Sequence, residues 1–326
     1  MNELNLVEAI TQALAYELEH DENVLVFGED VGKNGGVFRA TAGLQERFGE
    51  RRVFDTPLAE SMIAGMAIGM SLQGLKPVAE FQFMGFIYPA MNQIISHAAR
   101  FRNRTRGRLH CPLVFRAPFG GGIHAPEHHS ESTEALFAHI PGLQVVIPSS
   151  PQRAYGLLLA AIRDPDPVIF LEPKRIYRMR KQPVKNDGIA LPLGQCFTLR
   201  EGSDITLISW GASLHETMQA ALELEHEGLS AEVIDVASIK PLDIDTILNS
   251  VEKTGRCVIV HEAAKSGGFS AEIMAQIMEN SMSALRAPIQ RITGYDIIMP
   301  YFKLEKHAIP SVQRIKQSIV RMMETS

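Results

Sequence analysis

Short apolar runs alternate with helix-length amphipathic segments along most of this chain, and the pattern occurs twice. An unbroken apolar run buries a strand on both faces, which requires helices above and below a largely parallel sheet. The chain therefore reads as an α/β protein of two doubly wound units. In the first unit, Leu6, Ile10, Leu14 and Leu18 recur at helical spacing behind a capping residue, Asn5. Val24–Phe27 reads as a buried strand closed by Gly28. Residues 60–73 read as a helix, 78–83 as a strand, and 87–104 as one longer helix. That longer helix ends in Arg100, Arg102 and Arg104, cations suited to a helix C-terminus. Residues 112–118, 143–148 and 167–173 are further strands, and Ser150-Pro151 opens a helix reaching Arg163. Residues 174–200 are basic and aperiodic, so we expect a linker over the surface, its charges a solvated face. The second unit repeats the alternation, with strands at 205–210, 231–236, 257–262 and 289–294. Its helices fall near 213–227, 243–253, 268–280 and 309–323.

Charge narrows the function. Lys and Arg total 32 against 37 Asp and Glu, a net charge of −5, which disfavours a nucleic-acid binder. The most apolar stretch, 62–72, is too short to span a membrane. Three scattered cysteines, Cys111, Cys196 and Cys257, exclude a disulfide scaffold and suit a reducing, cytoplasmic setting. The N-terminal residues show no basic start before an apolar run, so no signal peptide is expected. GxxxxGK[ST], GxSxG and helical HExxH are all absent. The glycines at 32, 35 and 36 lack dinucleotide spacing.

Two places carry candidate chemistry. Asp55–Ser61 lies at a strand-to-helix junction, where open α/β sheets bind ligands. Glu60 falls in the first helical turn there, either as a functional carboxylate or merely as a partner for the helix dipole. Gly65 and Gly69 follow at a spacing that lets another backbone approach closely, including across a subunit interface. The second place is the loop Gly120–Ser130, with three glycines and then His124, His128 and His129. Its residue types suit proton transfer. A metal site and a plain polar loop are the competing readings.

Taken together, GEDVG (28–32), FDTPLAES (54–61), AEFQF (79–83), FGGGIHAPEHHSES (119–132) and PGLQVVIPSSP (141–151) resemble one family. So do SWG (209–211), IDVASIKPLD (234–243), HEAAKSGGF (261–269) and ITGYDIIMPY (292–301). The resemblance is to the beta subunits of the thiamine-diphosphate-dependent 2-oxo acid dehydrogenases, collinear over nearly the whole chain. It implies a pyrimidine-binding transketolase-like domain over 1–180, a linker over 181–200, and a transketolase C-terminal-like domain over 201–326. It implies oxidative decarboxylation of a 2-oxo acid, with the acyl unit passed to a lipoyl group of the dihydrolipoyl acyltransferase component.

Residue by residue, the resemblance makes Glu60 the carboxyl that bonds the cofactor's aminopyrimidine nitrogen, and His129 the catalytic histidine. Leu58, Gln82, Phe83 and Phe86 would adjoin the cofactor, although Gln82 stands where some relatives carry methionine. His124 and His128 would support the substrate pocket. Leu113, Ala161, Ile162, Asp164 and Asp166 match a monovalent-cation site, for which potassium is the expected ion; an ordinary helix-ending loop is the alternative. The family's diphosphate and magnesium are held through a GDG motif, which this chain lacks; its nearest string is Asn186-Asp187-Gly188. The resemblance thus implies a separate alpha subunit holding Mg2+, two beta chains and an α2β2 assembly. AEFQFMGF, without an acidic residue near Gly85, favours pyruvate over branched-chain 2-oxo acids or acetoin. A non-catalytic structural subunit is the reading from another class. Single-chain transketolases and coenzyme A transferases fit the motifs less well.

Overall fold

The computed structural model describes residues 2–324. Contacts group them into two units: residues up to Phe119 with Leu136–Leu193, and Gly120–Ala135 with the chain from Gly194 onward. A boundary drawn along the sequence cannot express this division, because the histidine loop packs with the later segment.

The apolar runs of the first unit form parallel strands. Their spatial order is Gln144–Val146, Val168–Pro173, Val114–Phe119, Lys76–Glu80, Val24–Gly28 and Val53–Asp55. Val24–Gly28, Val114–Phe119 and Val168–Pro173 are buried at every position, as doubly covered strands must be. Helix Leu6–His20 opens with a reciprocal cap. Asn5 Oδ1 accepts the Glu8 N–H at 3.0 Å, and the Glu8 carboxylate accepts the Asn5 N–H at 2.8 Å. Such caps contribute ~1 kcal/mol. Leu6, Ile10, Leu14 and Leu18 are all buried. That helix lies against Pro151–Arg163, to which Glu17 and Arg163 tie it at 2.6 Å. Ser150 caps the second helix, accepting the Arg153 N–H.

Three expectations need correction. The single helix over 87–104 is a series of short turns, with α-helix only at Met91–Ser96 and Phe101–Arg104. His97, at φ −120° and ψ −68°, leaves helical geometry between them. The helix expected over 309–323 begins only at Val312 and runs to Glu324, and a further helix, Phe302–Ala308, precedes it unforeseen. Pro310 forces the break by holding Ile309 extended (φ −81°, ψ 144°) and by lacking an N–H. The basic stretch is not wholly a loose solvated face. Gln182–Val184 pairs antiparallel with Asn2–Leu4, and Lys174 is buried with its Nζ over the Phe83 ring.

One feature of this core has no sequence signature. Arg116 is fully buried in the central sheet, donating to Glu80 (2.8 Å) and bidentately to Glu172 (2.6 and 3.1 Å). The Tyr177 hydroxyl completes the network, donating to Glu172 at 2.6 Å. Burial pushes the Glu80 carboxyl up, against the pull of Arg116.

The second unit carries a five-stranded sheet ordered Gln290–Ile292, Cys257–Val260, Ile205–Ser209, Ala231–Asp235 and Phe197–Arg200, the last strand antiparallel. Leu207, Leu224, Val233, Val258, Ile315 and Ile319 form its core.

Candidate active site

Three adjacent parallel strands of the first unit end at one edge of the sheet: Val24–Gly28 in the middle, Val53–Asp55 and Lys76–Glu80 beside it. Gly28 lies opposite both Asp55 and Glu80. The residues following these strands therefore emerge together. They are Glu29 and Asp30, then Leu58 and Glu60, then Gln82, Phe83 and Phe86. A Cβ on Gly28 would come within 2.3 Å of the Glu80 carbonyl oxygen, so only glycine allows this turn. The glycine-rich loop that follows has a structural task. Gly32 and Lys33 donate their N–H groups to the Asp55 carboxylate at 2.6 and 3.2 Å.

Glu60 is the first residue of helix Glu60–Leu72 and is half-buried. Its position makes it a carboxylate at a helix N-terminus. The sequence reading missed the residue beside it. Glu29 is buried, and its Oε1 has no hydrogen-bond partner in the protein. Burial first, then the charges of Glu60 and Asp30, push the Glu29 carboxyl above its ordinary range. GEDVG had drawn attention to the segment, but nothing in a sequence shows which acid in it is buried. Gln82 Nε2 donates to Asp30 at 3.0 Å. Phe83 is buried and packs edge-on against Phe86 and Phe38, with centroids 5.5 and 5.4 Å away. Leu58 is 78% exposed. A half-buried carboxylate, an aromatic pair and an exposed leucine at one sheet edge fit a flat heteroaromatic ring with a ring nitrogen.

The histidine loop belongs to the second unit. His124 sits in the left-handed region at φ +61° and is strongly exposed. His128 is exposed, with Glu127 3.8 Å away, whereas its neighbour His129 is half-buried. The two adjacent rings thus occupy different environments, as neighbours on a fixed turn must. The turn Glu127–His129 is held by the His129 N–H to Pro126 O at 3.0 Å and the Ser130 N–H to Glu127 O at 2.8 Å.

The remaining candidates lie in the first unit. Leu113 O accepts the Val168 N–H at 3.0 Å, and Asp164 Oδ1 accepts the Asp166 N–H at 2.8 Å. Ala161 and Ile162 are buried in the last turn of Pro151–Arg163. The Asp166 carboxylate is engaged by Arg102 at 2.7 Å. Among the described residues, no group of three His, Cys, Asp or Glu side chains is placed to hold a metal. Asn186-Asp187-Gly188 is taken up structurally. Asn186 accepts from the Tyr155 hydroxyl, which in turn accepts the Gly188 N–H, and Asp187 accepts the Ile189 N–H.

Comparison with known proteins agrees with this architecture. The family described as "Transketolase, pyrimidine binding domain" matches residues 2–180, and "Transketolase, C-terminal domain" matches 194–315. The chain is 49% identical to the pyruvate dehydrogenase E1 component subunit beta of Bacillus subtilis, covering 99% of this chain and all of that one. The chain belongs to the 2-oxo acid dehydrogenase beta-subunit family. A family member from Acholeplasma laidlawii, also named pyruvate dehydrogenase E1 component subunit beta, is 51% identical over 98% of each chain. The 2-oxoisovalerate dehydrogenase subunit beta of B. subtilis is 48% identical over 99% of this chain. The fold of this beta subunit also matches a solved split-gene transketolase, an inactive beta4 tetramer. The TM-score is 0.81 and the identity 21%, over 99% of both chains. No helix among the described residues is long and apolar enough to cross a membrane.

Proposed function

We propose that this chain is the beta subunit of a pyruvate dehydrogenase of the acetyl-transferring type, active with a separate alpha subunit in an α2β2 assembly. When bound, thiamine diphosphate supplies the nucleophilic carbon and the electron sink that let a 2-oxo acid lose carbon dioxide. The observation that carries the reading is the sheet edge of the first unit, with the half-buried Glu60 near enough to the buried Glu29 for their charges to interact. Glu60 Oε atoms would hold or give up a proton at the pyrimidine nitrogen. The buried carboxyl of Glu29, pushed above its ordinary range by burial and by the charge of Glu60, interacts with it. Phe83, Phe86 and Leu58 would orient the flat ring and exclude water. His129 is the histidine assigned to proton transfer during acyl transfer, with His124 and His128 around the substrate. The diphosphate and Mg2+ fall to the alpha subunit, since this chain carries no GDG string. The acyl acceptor is the lipoyl group of the acyltransferase component.

An open glycine face supports assembly. A Cβ on Gly69 would meet nothing within 4 Å, and one on Gly65 only the far end of Gln93 at 3.9 Å. Small residues exposed on a helix suit another backbone at close range.

Glu60→Gln in the reconstituted assembly tests the reading. Turnover should collapse with the assembly intact, because an amide cannot exchange a proton with the pyrimidine. Wild-type hydrogen–deuterium exchange at the thiazolium carbon would remove Glu60 from the mechanism and leave a structural subunit. Pyruvate, 2-oxoisovalerate and acetoin assayed side by side decide the substrate.

A further inference from the structure

We infer that Glu305 and Glu262 are the positioning residues of the histidine loop, two buried carboxylates around which the three glycines wrap. The geometry stands by itself; its catalytic consequence rests on the role proposed above for the loop histidines.

The run Gly120-Gly121-Gly122 reads from sequence as a loop made to cradle a ligand. The Gly121 and Gly122 N–H groups are instead aimed at the protein's own carboxylates, while the Gly120 N–H donates to the Glu131 carbonyl at 2.8 Å. Glu305 is 2% exposed, in the short helix Phe302–Ala308. Its Oε1 accepts the Gly122 N–H at 2.6 Å and its Oε2 the His124 N–H at 3.0 Å. Glu262 Oε1 accepts the Gly121 N–H at 3.2 Å and the Ser132 hydroxyl at 2.7 Å. Converging N–H groups from a turn with left-handed residues make an anion-binding concavity. Here the anion is a side chain.

The glycines follow from this arrangement. A Cβ on Gly120 would stand 2.0 Å from Glu262 Oε1, and one on Gly121 would stand 2.8 Å from Met299 Cε. Gly120 and Gly122 both have φ +86°. His124 has no such licence. A histidine at φ +61° is strained, and a non-glycine residue stays there only when its surroundings hold it. Glu305 is what holds it, at the backbone N–H of that same residue.

Charge makes the dependence mutual. Among the described residues, neither Glu262 nor Glu305 forms an ion pair with Lys or Arg; the nearest cationic candidate is His124 Nε2, 3.8 Å from Glu305. A buried carboxylate is costly unless hydrogen bonds replace its water. The loop N–H groups supply those bonds, so releasing the loop strips both carboxylates at once. Packing alone does not hold it, because a cavity of about 320 Å³ lies beside the loop, lined by Ser130, Ser132, Glu262, Tyr295 and Ile298.

Glu305→Gln and Ser132→Ala test the assignment in the reconstituted assembly. The amide of Glu305→Gln turns a donor toward one of two N–H donors. Losing a charge-assisted bond of this kind corresponds to roughly 10- to 100-fold. Amide hydrogen exchange should therefore accelerate by about that factor at Gly122 and His124, with the strand Cys257–Val260 unchanged. Ser132→Ala, a milder change, should accelerate exchange at Gly121. Acetyl transfer to a lipoyl domain should fall further than decarboxylation read with an artificial electron acceptor. Wild-type exchange at Gly122 and His124 in Glu305→Gln would overturn the inference. So would faster exchange with both half-reactions falling equally, since a disturbed fold predicts that. An assembly inactive on every 2-oxo acid would sink the proposed function instead, while the exchange data would still decide the anchoring.

Discussion

At neutral pH the fold keeps a proton on Glu134 that the unfolded chain releases. The carboxyl is fully buried, and its Oε1 accepts the Trp210 indole N–H at 3.2 Å. Its Oε2 has no partner in the protein. Burial foremost, and then the charge of Glu262, push its pKa from 4.5 up to about 8. Trp210 stacks on His261, with centroids 5.0 Å apart, and burial drives that imidazole down to about 3, so it stays neutral. No neighbouring cation in this group offsets an ionised Glu134. A carboxyl whose folded pKa is raised contributes fully below the unfolded value, here about 4.5. That contribution is lost as pH climbs to the folded value, about 8. At ~1.4 kcal/mol per pH step, the cost reaches roughly 3 kcal/mol at pH 7 and levels near 5 kcal/mol above pH 8. Glu134→Gln keeps the acceptor for Trp210 and carries no charge at any pH. Its stability should gain on wild type by ~1 kcal/mol per step between pH 5 and 8. Urea denaturation followed by tryptophan emission measures this at the site, because Trp210 is the chain's one tryptophan. A constant offset would reflect the amide's own packing; the slope reports the proton. Parallel stability profiles for the two proteins from pH 5 to 9 would refute a protonated Glu134.

Arg116→Met should destabilise the chain by about 3–5 kcal/mol, because it leaves the Glu80 and Glu172 charges buried without their partner. Part of that loss should return as pH falls and the stranded carboxyls take up protons, which urea titrations at several pH values will read. Gly69→Leu should raise the melting temperature of the isolated chain, since helix propensity improves by ~1 kcal/mol and a Cβ at this exposed position meets no atom within 4 Å. The same change should prevent assembly with the alpha subunit, visible by light scattering; normal assembly would free the glycine face from that role. His129→Ala should impair acetyl transfer about 10²–10⁴-fold, whereas His128→Ala, at an exposed ring, should cost little. Equal defects would mean that the loop is merely disturbed.

Much of the architecture was legible because it depends on local chemistry. Val24–Gly28 announces a buried parallel strand by being apolar throughout, and Val168–Leu171 does the same for most of its strand. Asn5 and Ser150 start their helices by accepting N–H groups three residues on, a contact that sequence spacing contains. Glu60 was a candidate because a strand-to-helix junction is where such sheets bind ligands, but the junction alone left it equally a partner for the helix dipole, and the family resemblance singled it out. The break at His97 and the short helix Phe302–Ala308 before Pro310 were harder, because neither a single backbone turn nor a seven-residue helix leaves a clear period in the sequence. Tertiary structure alone decided which acids matter. Glu29, Glu134, Glu262 and Glu305 look like any surface glutamates in the sequence, and they differ only in what the fold packs around them. Glu305 lies more than one hundred and eighty positions from the glycine N–H groups it accepts. Periodicity encodes which face of an element is apolar. It does not encode which distant backbone donors will converge on a carboxylate, because desolvation and hydrogen bonding are set by neighbours in space.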